Sequence, residues 1–206
     1  MYKHICRTER ITEDTLADVI DDSDVKIFSD KDDNKEVVNE VSVIAEMTKH
    51  RSNGNIEKAK KLGKHLAEIF VDEPSLLNQL ENEVGKIECD ADDMYHIKVL
   101  LVFTAEYCIN RYLPATLLSN TAVNSLYDTV IKKAQEFYER LDDAAEYSFY
   151  YLAVRKGVEI PKNIGVSFAM LCGEDKNEYY VTLGRRLFEV AEHEIQKIID
   201  GYEFVK

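Results

Sequence analysis

Apolar residues recur at spacings of three and four along most of the chain, the pattern of helices that bury one face. From about Lys35 to Arg51, Val37, Val41, Ile44 and Met47 share a face, with Val38 and Ala45 beside it. Ser52-Asn-Gly-Asn55 is a turn by composition. Beyond it Ile56, Ala59, Leu62, Leu66 and Ile69/Phe70 predict a second helix to Val71, so the two form a hairpin with a short connection. Pro74 suits the first turn of a third helix, which Leu76, Leu77, Leu80, Val84 and Ile87 carry to about Ile87. The fourth, about Asp92 to Tyr112, differs in kind. Val99 to Ala105 is apolar nearly all round, which predicts a central helix buried on several sides.

Leu113-Pro114 breaks that helix, and Thr121 offers a cap for another from Ala122 to about Leu141. A segment dense in aromatic residues, Asp142 to Lys156, follows and ends at Gly157. Asn163 to Cys172 reads as a short apolar helix. The last runs from about Lys176 to Tyr202 on a stripe of Tyr180, Gly184, Leu187, Ala191, Ile195, Ile198 and Tyr202. Eight or nine helices, short loops and no convincing strand set predict an all-α fold. It is an irregular multi-helix bundle or array of about eight helices, mostly with antiparallel neighbours. Residues 1–34 are the least regular: a short helix from Thr12 to Asp21, then an acidic loop. They read as an N-terminal extension ahead of one helical domain over 35–206.

Charge sharpens this division. The 206 residues carry a net charge of −13. Residues 1–94 hold 23 acids against 13 bases, and residues 95–206 hold 16 against 13. Seventeen of the twenty Phe and Tyr lie in the second half, which should hold the main core. A phosphate backbone is repelled by such a chain, so direct nucleic-acid binding is not expected. Lys58/Lys60/Lys61/Lys64 and the pair Arg185-Arg186 are the candidates for a local basic patch, and the first cluster reads more simply as the solvated face of a helix. No stretch reaches the roughly 20 apolar residues of a membrane span. Cys6, Cys89, Cys108 and Cys172 pair in no metal spacing, and no secretory pattern opens the chain, so reduced thiols in a cytoplasm are expected.

Gly54-Asn55-Ile-Glu57-Lys-Ala59 resembles the turn and second helix of a tetratricopeptide repeat, over one hairpin of about 40–74. Glu46 and Met47 stand where that repeat has Leu-Gly, and no second copy follows. Repeat arrays need about three units, so the segment is treated as an ordinary helical hairpin.

Four constellations touch on chemistry. Asp30-x-Asp32-x-Asn34 begins like a calcium loop, but Lys35 and Val41 replace the required glycine and bidentate glutamate. A di-metal carboxylate bundle needs Glu-x-x-His twice, and this chain offers only Asp93-x-x-His96. Gly165-Val-Ser167-Phe-Ala169 is one residue off a nucleophile elbow, which requires a strand before it; His193 is the only downstream histidine. Cys108 and Cys172 lie in apolar helices, where a thiol is normally packing. No glycine-rich phosphate loop or dinucleotide fingerprint appears, so no cofactor and no metal is expected.

Two sets of residues remain. Glu106 lies on the apolar stripe of the fourth helix, and with His96 and Glu146 it could line one polar, ligand-binding pocket. Tyr147, Tyr150 and Tyr151 cannot all face one core. Tyrosine packs through its ring and bonds through its hydroxyl, which suits an interface. The leading expectation is a non-enzymatic helical binding or scaffold protein acting through protein contacts, with a second copy of itself among the candidate partners. One alternative is an acidic decoy for a basic, nucleic-acid-binding protein, from the eleven acids between Glu13 and Glu40. The other is a small-molecule-binding or enzymatic bundle with a Glu/Tyr-lined pocket.

Overall fold

The computed structural model describes residues 40–72, 80–87, 90–142 and 145–205. The described residues form an all-α array: α1 (Glu40–Ser52), α2 (Asn55–Val71), α3 (Ala91–Tyr112), α4 (Thr116–Lys133), α5 (Gln135–Asp142), α6 (Glu146–Arg155), α7 (Ile160–Leu171) and α8 (Glu178–Gly201). Residues 80–84 add a helical turn, and no strand occurs among the described residues. The calcium-like loop and the acidic run from Glu13 fall outside them, except for Glu40, the first residue of α1.

Local chemistry sets the boundaries. Gly54 at φ 77° takes the left-handed turn between α1 and α2 that the composition predicts. Asp90 caps α3: its side chain accepts from the backbone N–H of Asp92 and Asp93, and Asp93 answers at the Asp90 N–H. Asp93 of the Asp-x-x-His pair is therefore a capping residue. Gly157 (φ 72°) follows α6, and the Asn177 side chain caps α8.

Four boundaries differ from the periodicity. The helix expected from Ala122 to Leu141 is two helices, because Ala134 leaves the helical region (φ −145°, ψ 58°). The first of them starts at Thr116, directly after the Pro114 break. Thr121 is therefore inside α4, its hydroxyl bonded back to the Leu117 carbonyl at 2.7 Å, and caps nothing. The helix expected to reach Ile87 stops at Val84, where Gly85 turns left-handed (φ 90°); Ile87 is buried beyond it, its N–H held by Glu81 at 3.1 Å. Helix α7 begins three residues before Asn163, with Pro161 in its first turn.

Helix α3 is the axis of the core. Every side chain from Val99 to Ala105 is buried, and α3 packs against α2, α4, α6, α7 and α8. Each large apolar side chain enclosed there contributes about 1.5–3 kcal/mol. The most extensive helix pairs are α2 with α4 and α7 with α8. Glycine permits both: a Cβ on Gly63 would lie 2.0 Å from the Ala122 carbonyl oxygen of α4, and one on Gly165 would lie 2.3 Å from the Val181 carbonyl oxygen of α8. Gly165 of the elbow-like segment is thus a helix-contact glycine. Ser167 is buried, with its hydroxyl 3.5 Å from the Phe149 carbonyl oxygen of α6.

Candidate functional site

Glu106 emerges from the buried stretch of α3 one turn past Phe103. Its two oxygens are both engaged. Oε2 accepts from the Tyr127 hydroxyl of α4 at 2.7 Å, and Oε1 accepts from the Tyr151 hydroxyl of α6 at 2.5 Å. The Tyr127 and Tyr147 hydroxyl oxygens stand 3.1 Å apart. With its own proton given to Glu106, Tyr127 accepts from Tyr147. The result is a chain Tyr147 → Tyr127 → Glu106 ← Tyr151 across three helices. The spacing of four between Tyr147 and Tyr151 lets both reach the same carboxylate region from one face of α6.

Burial is the largest cause that pushes the Tyr127, Tyr147 and Tyr151 hydroxyls well above the ordinary tyrosine range, and the Glu106 carboxylate adds to it. The three therefore stay protonated through neutral pH as donors. Phe103 lies beneath this group, with ring centroids 5.7 Å from Tyr147, 5.1 Å from Tyr150 and 5.3 Å from Tyr151.

His96 and Glu146 belong to a second group, nearer the start of α3. Ten residues separate His96 from Glu106, about 15 Å of helix rise. Tyr95 donates to Glu146 at 3.4 Å, and the Arg140 guanidinium of α5 sits 3.6 Å over the Tyr95 ring while reaching Asp92 at 3.3 Å. Burial raises the Tyr95 hydroxyl to about 12, with the Glu146 charge reinforcing it. The His96 ring packs edge-on against Tyr95 at 5.2 Å. Its Nδ1 is buried and has no hydrogen-bond partner among the described residues. Burial holds this imidazole below its usual range against the pull of Glu146, so it is neutral at pH 7.

Glu106, His96 and Glu146 thus do not meet in one pocket. A cavity of about 300 Å3 exists elsewhere, between α2, residues 80–83, α3 and α8, and its walls are mostly Leu66, Phe70, Leu101, Ala191, Ile195 and Ile198. Neither carboxylate–tyrosine group lines it. Among the described residues no three His, Cys, Asp or Glu side chains are arranged to hold a metal. No described helix is long and apolar enough to cross a membrane.

The tyrosines divide. Tyr150 is fully enclosed, so it belongs to the core rather than to any face open to a partner: its helical position turns it inward onto Phe103. Tyr147 is half-buried and Tyr151 half-exposed. The surface that pattern reading missed lies beside them. Phe149, Leu152, Val158, Val166 and Met170 are large apolar side chains exposed to between 38% and 68%. The Ser167 hydroxyl meets the Phe149 backbone carbonyl, so α7 runs beside α6 at this point. The signal was present as Val166 and Met170 at a spacing of four, but spacing alone does not tell an inner stripe from an outer one. No family model, no curated protein and no solved structure matches this chain.

Proposed function

We propose that the chain is a non-enzymatic helical protein-contact module that binds through the exposed apolar face of the α6–α7 hairpin, and that its first partner is a second copy of itself. The observation that carries this is the exposure of Phe149 and Leu152 on α6, Val166 and Met170 on α7, and Val158 in the connection between them. Side chains of this size, each about half exposed, offer on the order of 500 Å2, where contiguous apolar surface marks a contact site. The charge supports a copy as partner. Arg155, Lys156 and Lys162 outnumber Glu146 and Glu159 across the hairpin, in a chain of net −13. Another acidic molecule meets less repulsion here than the average surface would give. The engaged oxygens of Glu106 support the non-enzymatic side, because no lone carboxylate is left poised there for acid–base work.

The test is sedimentation velocity on the parent and on Leu152→Asp/Met170→Asp, over roughly 5–200 µM, the range in which a small interface associates. The parent is expected to shift toward dimer with concentration and the variant to stay monomeric with unchanged helicity. A parent that is monomeric throughout defeats the proposal.

A further inference from the structure

The segment after α8 is held by its backbone. The Asn55 carboxamide, at the start of α2, makes a two-point contact with Val205: Oδ1 accepts from the Val205 N–H at 3.1 Å, and Nδ2 donates to the Val205 carbonyl at 2.6 Å. Lys58, one turn on, donates to the Glu203 carbonyl at 2.8 Å. Phe204, between them, packs partly buried against the core and stacks on Tyr202. These contacts would serve any extended peptide backbone, and here the chain's own residues 203–205 fill them.

The Asn55 carboxamide is fully buried, and Val205 fixes which way it points. Its nitrogen therefore also faces His50 Nδ1 of α1, at 3.1 Å. A donor on that side requires Nδ1 to be bare. In that tautomer the ring proton of the buried His50 sits on Nε2, which points toward Glu46 at 3.8 Å. Protonation puts an N–H on Nδ1 against the Asn55 N–H2. Turning the carboxamide over relieves that clash only by setting its nitrogen against the Val205 N–H and its oxygen against the Val205 carbonyl. A proton on His50 Nδ1 and the two-point hold on Val205 oppose each other.

The other charged groups here are few. Glu46 and Lys49 of α1 share with His50 a recess closed on the far side by Pro114 and Ala115, which carry no charge. Lys58 of α2 is engaged with the Glu203 carbonyl, and Asp200 and Glu203 lie across Pro114 on the tail side. Glu46 stands ready to accept the imidazolium once it forms. We propose that His50 is a proton-operated latch: neutral, it lets Asn55 hold residues 203–205 at the start of α2, and protonated, it releases them from Asn55.

The chain contains no tryptophan, so Phe204→Trp places a single reporter on the segment. Its emission, together with far-ultraviolet circular dichroism, is followed from pH 8 to about pH 5, the interval in which imidazoles titrate. Emission is expected to shift to that of an exposed indole on acidification while helicity holds. His50→Asn in the same background keeps an acceptor near the Nδ1 position and cannot be protonated; its indole should stay buried across the range. Asn55→Ala should expose the indole at every pH. An indole that stays buried in the parent at pH 5, or a His50→Asn protein that releases at the same pH as the parent, overturns the latch. If Asn55→Ala unfolds, the parent and His50→Asn comparison still decides.

Discussion

Tyr127 accepts a hydrogen bond from Tyr147 and donates its own proton to Glu106, so one hydroxyl serves two bonds at a partly buried position. Tyr127→Phe leaves both partners short and should lower stability by about 1–3 kcal/mol. Tyr150 is the opposite case at the same residue scale. Its hydroxyl is buried with no partner among the described residues. Tyr150→Phe removes an unmet desolvation cost without opening a cavity, and should be neutral or stabilise by up to about 1 kcal/mol. Urea midpoints for the two variants, read at constant slope, check the contrast. A Tyr150→Phe loss as large as the Tyr127→Phe loss would mean that the Tyr150 hydroxyl has a partner in the folded chain.

At the scale of elements, close approach of helices rests on glycines. Gly63 meets α4 backbone, which cannot step aside as a side-chain tip can, so Gly63→Ala must push α2 and α4 apart along their longest contact. A loss of about 1–3 kcal/mol or more is expected, despite the better helix propensity of alanine. Gly165→Ala should behave alike against α8. Gly201, at the end of α8, has nothing within 4 Å of where a Cβ would stand, and Gly201→Ala should gain up to about 1 kcal/mol. Thermal melts of the three separate contact from propensity; a neutral Gly63→Ala would show that the helices slide freely. These glycines also mark what the sequence made legible. Most helices were readable, because a buried face leaves a period: the run from Val99 to Ala105, apolar but for Thr104, announced the central helix, whereas the α1 stripe is exposed at Ile44 and Met47. Which helices touch was not, since Gly63 and Gly165 carry no side chain to pattern. The Ala134 break was invisible in the sequence, as alanine is a good helix former and carries no stop signal. Glu106 stood out on its stripe, but its partners Tyr127 and Tyr151 lie 21 and 45 residues away, and no local spacing joins them.

Across the whole molecule, buried acids that stay protonated make the fold sensitive to base. Burial is the main cause that lifts the Tyr127 and Tyr147 hydroxyls well above the ordinary range, the Tyr95 hydroxyl to about 12, and the Cys108 thiol to about 12. In the unfolded chain thiols lose their protons near pH 8.5 and tyrosines near pH 10. Below those values both states hold the proton and the groups add no pH dependence. Above them the unfolded state gives up protons that the folded state retains, so unfolding gains and stability falls as pH rises. For each enclosed group such as the Tyr147 hydroxyl the slope approaches about 1.4 kcal/mol per pH unit. Stability should therefore be flat near neutrality, begin to decline from about pH 9 through Cys108, and drop steeply above about pH 10 as the tyrosines join. Phenolate absorbance followed with circular dichroism should show the exposed tyrosines titrating first and the enclosed ones ionising in one step with loss of helix. Tyr127→Phe should flatten the alkaline decline relative to the parent. If all tyrosines ionise together near pH 10 with helicity intact, the Glu106 cluster is open to solvent, and the chain of hydroxyls joining α3, α4 and α6 is not a structural seam.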